Sequence, residues 1–459
     1  MLQIVWFKRD LRVQDNAALC RAAEHGPVLP LYIVEPELWR QPDMSGRHWA
    51  FVRECLLSLN EDLAGLGQPL IIRSGEAVEV VKALLDQYPV AGMWSHQETG
   101  NAWTYRRDQA VAGLLREHGI PWHQPRQHGV VRGPVDRDGW SRQWEALMTA
   151  PQFKPPVLRA VAGIDPGELP NRAALDLPVD PCPGRQHGGR AAAEQALHSF
   201  LEQRGASYHL EMSSPRTASS SCSRLSAHLA WGTLSMREVL QATRCRRAQV
   251  KQLPKSQRGT WGRALAAFEG RLHWHCHFMQ KLESEPRFEF ENMQRATAGL
   301  RDEQCDPVRL RAWKTGNTGW PLVDACMRAL AHTGWINFRM RAMLMSVASY
   351  QLWLHWREPA LHLARQFVDY EPGIHYPQAQ MQSGTTGINT LRIYNPVKQS
   401  LDQDPDGVFI RTWLPELSRV DREWIHTPWL MPEDEQRECG VLIGHDYPAP
   451  LVDHEAAAR

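Results

Sequence analysis

The chain has 459 residues, 52 basic against 51 acidic, for a net charge of +1. That length gives room for two or three domains and a sizeable core, and the neutral total makes charge informative only segment by segment. Nine cysteines without a CxxC pair or a His/Cys ligand spacing argue against a disulfide framework, structural zinc and an iron–sulfur cluster.

The N-terminus, MLQIVWFKRD, lacks the basic start and long apolar stretch of a signal peptide, so a cytoplasmic protein is expected. Residues 1–128 alternate short apolar runs with helical stretches. Strands are predicted at 2–7, 28–34, 69–73 and 92–95, and helices at 16–24, 47–65 and 77–87. This rhythm predicts an α/β, Rossmann-like parallel sheet. Ligands in such sheets sit at the strand C-terminal ends, here near residues 7–12 and 32–37. No GxGxxG or Walker sequence supports an ordinary dinucleotide or ATP site. Residues 129–190 are rich in Pro and Gly and read as a connector. Residues 191–459 read as a second, helical domain whose last 60 residues are mixed and polar. Its longest apolar run, 342–354, is shorter than the ~18 residues of a membrane span and reads as a buried core helix.

Five constellations stand out. The run 219–226, SSSCSRLS, precedes a helical stretch, where hydroxyls and free N–H groups suit a phosphate; helix capping by Ser223 or Ser226 competes with that reading. Residues 241–263 carry Arg244, Arg246, Arg247, Lys251, Lys255, Arg258 and Arg263 with no acid, which suits either phosphate contacts or a solvated surface. His273, His275 and His277 alternate, but only His273 and His277 share a helical face, so core or ligand-lining histidines outweigh a metal site. In 319–341, GWPLVDACMRALAHTGWINFRMR, Val323, Met327 and Leu330 make one apolar face, and Gly334 stands where a left-handed C-cap belongs. Arg339 and Arg341 then enter an apolar run and need an anionic partner, either a ligand or a carboxylate. Asp369, in the Asp369-Tyr370-Glu371 triplet, is a plausible partner for Arg341, and the small residues 383–390 suit the edge of a ligand cavity. The 19 tryptophans serve packing or stacking on planar ligands.

Four segments together resemble the photolyase/cryptochrome flavoprotein family: WFKRDLRVQDNAAL (6–19), CSRLSAHLAWGTLS (222–235), TGWPLVDACMRALAHTGWINFRMR (318–341) and LRIYNP (391–396). They occur in the family's order along essentially the whole chain, as in a divergent, bacterial-type DNA photolyase-like member. The resemblance implies an antenna-type α/β domain and an all-helical domain holding FAD in a folded shape. It implies Ser223, Leu225 and Ser226 at the pyrophosphate, with Tyr208 nearby. Trp335, Arg341, Asp369 and Glu371 would line the adenine and flavin. It further implies blue-light-driven electron transfer from reduced FAD to a pyrimidine lesion flipped out of DNA, with Trp274 stacking on that lesion. Arg339, Arg392, Arg244, Arg246, Arg247 and Lys251 would contact DNA phosphates. A folate or deazaflavin antenna chromophore is implied, its identity open. The partner is UV-damaged DNA rather than a membrane, and the protein is expected to be a monomer.

The chain departs from the family pattern at four places. The lesion-contacting glutamate falls on Arg271, which cannot accept a hydrogen bond. A His-Asn pair reads Asn337-Phe338, and the asparagine facing the flavin falls on His375, a protonatable group. Trp356 fits the middle of the electron-relay chain, yet no Trp occurs between Trp356 and Trp413 and the distal position falls near Glu303. Tyr370, Tyr376, Trp353 and Trp320 are the candidate substitutes. These departures keep open a cryptochrome-like photoreceptor without repair activity.

Overall fold

The computed structural model describes residues 1–133, 135, 137–301, 304–387 and 393–453. Five strands form one parallel sheet in the order β3-β2-β1-β4-β5: β1 Leu2–Phe7, β2 Val28–Val34, β3 Ile71–Ser74, β4 Val90–Trp94 and β5 Trp122–His123. β1 and β2 are buried along their whole length because helices cover both faces. The helices Ala17–His25, Gly46–Gly65 and Ala77–Gln87 fall where the periodicity placed them, and Ala102–Glu117 adds another before β5.

The rest is largely helical. Part of the stretch read as connector is itself a helix, Arg137–Thr149, whose Trp140, Trp144 and Met148 pack into a core with Phe200, Val239 and Phe268. Gly334 ends the Pro321–Thr333 helix at φ 69°, its N–H donating to Leu330 O at 2.8 Å. The apolar run beyond Arg341 is not one continuous helix. Phe338–Ser346 is α-helical, Val347–Gln351 widens into a π-turn, and the chain then leaves the helix. No helix among the described residues is long and apolar enough to cross a membrane.

The two halves share one core. A single apolar cluster runs from Val5, Phe7 and Trp39 through Trp231 to Met345, Trp356 and Tyr376. The loop after β1 docks on residues 230–232: Leu11 N donates to Trp231 O (3.2 Å), Arg9 Nε to Ala230 O (2.8 Å) and Arg12 Nη1 to Gly232 O (3.0 Å). Gly232 has φ 75°, and a Cβ there would lie 2.2 Å from Arg9 O, so contact requires glycine.

That docking and a set of ion pairs fill much of the strand-end edge. Arg9 and Arg12 donate to backbone carbonyls, and Arg9 also faces Glu371 at 3.3 Å. Arg107 bridges Glu35 at 2.8 Å, Asp108 at 2.8 Å and also Glu98, while Lys8 reaches Asp108 at 2.9 Å. The spaces left are about 10 and 30 Å³, against the several hundred Å³ of a ligand pocket.

Candidate functional site

The large cavity lies in the helical half and measures about 450 Å³. Its walls come from the loop before the Ser226–Ala230 helix and from the helices Trp261–Ser284, Phe338–Ser346 and Pro372–Ser383. Tyr208, Ser223, Ser226, Trp335, Arg341, Asp369 and Glu371 all line it, as do Arg271, Trp274, Arg339 and His375. Leu225 does not: its side chain is buried in the helical core, and its backbone N–H donates to Ser223 Oγ at 3.4 Å.

Arg341 finds the carboxylate that an arginine in apolar surroundings needs. Its Nη1 and Nη2 donate to Asp369 Oδ1 and Oδ2 at 3.0 and 2.8 Å, and its guanidinium lies 4.0 Å over the Phe367 ring. Burial pushes the Asp369 carboxyl up, but Arg341 with the Ser226 hydrogen bond and Arg224 holds it below its usual value. Glu371 faces Arg9 at 3.3 Å, and burial outweighs that partner to raise its pKa. His375 lines the cavity beside Tyr370 and Tyr376. Burial lowers its pKa to about 4, although its Nε2 meets Ala360 O at 2.8 Å.

Arg224 is a lining residue that the reading of 222–226 passed over, although it stands between Ser223 and Leu225. Its backbone is left-handed at φ 61°, and its guanidinium lies over the Trp335 ring at 4.0 Å. Burial lowers its pKa to about 10. Arg224, Arg271 and Arg339 form no salt bridge among the described residues, and Arg339 Nε and Asn337 Oδ1 are buried without a hydrogen-bond partner. At the mouth, Trp274 is 49 % exposed and stacks on Phe278 at 5.5 Å, while Phe338 is 52 % exposed beneath Arg271 at 5.9 Å. The alternate histidines diverge. His275 lines the cavity, His273 packs edge-on against Trp140 and Trp144, and His277 against Trp140 and Trp274.

The basic stretch is not brought to the cavity. Arg244 pairs with Glu145 at 2.6 Å and Glu269 at 2.8 Å, Arg247 with Glu269 at 3.0 Å, and Arg246 with Glu202 at 3.1 Å. Lys251 is exposed on the same helix. At 100° per residue, Glu269 sits on the face of its helix opposite Arg271, Trp274 and Phe278. Phosphate contacts by these arginines would have to displace existing carboxylates. Arg392, Glu303 and residues 388–392 lie outside the described residues. Trp356 is fully buried away from the cavity, its Nε1 donating to Asn292 Oδ1 at 2.7 Å. Of the candidate relay substitutes, Tyr370 lines the cavity and Tyr376 sits 6.4 Å from the Trp356 ring. Trp353 is half exposed under Arg301, and Trp320 is buried.

Comparisons with known proteins agree with this architecture. Residues 3–137 match the family model described as DNA photolyase, and residues 268–459 match the FAD binding domain of DNA photolyase. The chain is 31 % identical to the deoxyribodipyrimidine photo-lyase of Streptomyces griseus, covering 99 % of this chain and 97 % of that one. It is 29 % identical to the cryptochrome DASH of Natronomonas pharaonis, over 99 % and 98 %. The crystal structure of a class III photolyase from Agrobacterium tumefaciens superposes with a TM-score of 0.85 at 26 % identity, covering 99 % and 95 %. The chain belongs to the photolyase/cryptochrome flavoprotein family, and its cofactor is FAD. The cavity suits that cofactor: Arg224, Arg271 and Arg339 line it with no carboxylate at salt-bridge distance among the described residues, and aromatic side chains border the remaining volume.

Proposed function

We propose that this protein is a blue-light-driven enzyme that repairs pyrimidine photolesions in DNA by electron transfer from reduced FAD. Ser223, Arg224 and Ser226 hold the pyrophosphate, with Tyr208 behind them. Trp335, Arg341, Asp369 and Glu371 border the ring systems, and the Arg341–Asp369 pair fixes the charge beside them. When bound and reduced, FAD supplies a light-excited electron that splits the lesion and then returns. The side chains position, keep dry and set the field; none is required as an acid or base.

The observation that carries this reading is the half-exposed Trp274 at the mouth of a deep, cationic cavity. It offers a flipped base an aromatic face beside the cofactor. Arg271 and Arg339 suit the acceptor atoms and phosphates of such a nucleotide. The test is to illuminate the reduced holoprotein with oligonucleotides carrying defined UV lesions. Lesion content falls with light for the true substrate. Unchanged content for every lesion, with FAD fully reduced, overturns the proposal.

A second reading, a photoreceptor without repair, is favoured by Arg271 standing where an acceptor is expected and by the ion-paired state of Arg244, Arg246 and Arg247. It requires a light-dependent change in conformation or partner binding, with weak affinity for damaged DNA.

A further inference from the structure

A carboxylate from the N-terminal half reaches the tyrosines beside the cavity. Asp43, before the Gly46–Gly65 helix, is buried. Its Oδ2 accepts from Tyr370 Oη at 2.6 Å, from Asn101 Nδ2 at 3.0 Å and from Tyr376 Oη at 3.2 Å. All three partners are donors and Asp43 is the acceptor of each, while its Oδ1 has no hydrogen-bond partner. Tyr370, His375 and Tyr376 form a triangle of rings at the cavity wall, with Tyr370 and Tyr376 6.4 Å apart, and Trp356 continues the line from Tyr376. His375 lies 5.4 Å from Tyr370 and 5.6 Å from Tyr376, and Tyr376 lies 6.4 Å from Trp356.

The two kinds of ring in this line have different proton partners. A phenol that loses an electron becomes a strong acid, and its proton leaves for a hydrogen-bonded base. Tyr370 and Tyr376 each have such a base in Asp43. The Trp356 N–H has only the amide oxygen of Asn292, which does not take a proton. Burial and the nearby Asp43 also push both phenols well above their ordinary range, so they keep their protons in the dark.

We infer that Tyr370 and Tyr376, with Asp43 as proton acceptor, are the electron donors to photoexcited, oxidised FAD in the cavity, and that the hole rests on tyrosine rather than passing to Trp356. One electron leaves a phenol for the flavin, which gains it. The O–H proton moves along the existing hydrogen bond to Asp43 Oδ2. The products on the protein are a neutral phenoxyl radical and a neutral Asp43 carboxylic acid, so the pair goes from one negative charge to none. The inference rests on the FAD assignment and is independent of DNA repair.

The test uses the full-length holoprotein with oxidised FAD and no DNA, illuminated with blue light and read by electron paramagnetic resonance. A tyrosyl radical is expected, its pattern changing when the protein carries ring-deuterated tyrosine. Asp43→Asn keeps the shape but removes the base, and tyrosyl formation slows by roughly a hundredfold, as for other positioned proton acceptors. Should Asp43→Asn fail to fold, Tyr370→Phe/Tyr376→Phe preserves ring packing and must abolish the tyrosyl signal. A tryptophanyl radical in the wild type, no protein radical at all, or a tyrosyl yield unchanged in the double variant overturns the inference. Failure to repair damaged DNA leaves this radical signal untouched, so the two readings fail separately.

Discussion

Arg107 and Arg224 each lie over a tryptophan, 4.7 Å from the Trp6 ring and 4.0 Å from that of Trp335. Arg107 also meets Glu35, Glu98 and Asp108, and the space beside it has shrunk to about 30 Å³. Arg224 meets no carboxylate at salt-bridge distance among the described residues, and the space beside it is about 450 Å³. Neither burial nor basic charge separates a binding site from a structural knot here. What separates them is whether the chain itself neutralises the cations.

Two cations can be removed to compare the regions: Arg107, met wholly by the chain's carboxylates, and Arg341, which lines the cavity and is met by Asp369. Arg107→Ala strands buried carboxylates and should cost about 3–5 kcal/mol in urea unfolding, with the folded fraction retaining its flavin. Loss of flavin at unchanged stability would invert the comparison. Arg341→Ala leaves Asp369 buried without its partner, costs about 3 kcal/mol and, unlike Arg107→Ala, lowers the flavin-to-protein absorbance ratio after gel filtration.

pH probes the seam between the regions. Glu289 accepts from Ala102 N at 2.7 Å, and burial raises its pKa from 4.5 to about 7. The folded state therefore binds this proton more tightly than the unfolded state. Its stabilising contribution is complete below the unfolded value and is lost as pH rises through 7, on the order of 3 kcal/mol at most. The difference in urea midpoint between the wild type and Glu289→Gln should fall between pH 5 and 8. Smaller still, Trp274→Ala should weaken binding of lesion-bearing DNA by about 1–3 kcal/mol without changing the melting temperature. Arg244→Ala should move stability by less than ~1 kcal/mol and leave DNA affinity nearly unchanged, because its charge is already met by Glu145 and Glu269. A large loss of DNA affinity in Arg244→Ala would restore that helix as a phosphate surface.

What was legible in the sequence followed locality. The strands, the Gly334 cap and the need of Arg341 for an anion are short-range facts, and Asp369 lies 28 positions away on an element the motif already marks. The ion pairs of the basic segment were not legible because its acids come from elsewhere. Glu145 is 99 residues before Arg244, and Glu269 follows it on another helix. The closed strand edge was hidden for the same reason, since Arg107 and Glu35 are 72 residues apart. The π-turn at Val347–Gln351 leaves no mark that separates it from ordinary helix. Asp43 was invisible as a partner because its tyrosines lie more than 300 positions downstream.

Gly232 carries a consequence for any attempt to recombine this chain with its relatives. The seam it occupies rejects even a methyl group, and the apolar cluster runs through it unbroken. Grafting the first 130 residues of a relative onto this helical half would therefore transplant a surface that must match Ala230, Trp231 and Gly232 atom for atom. The chain has two matching family models but one inheritance unit, and chimaeras should survive only when the crossover carries residues 8–12 and 230–232 together.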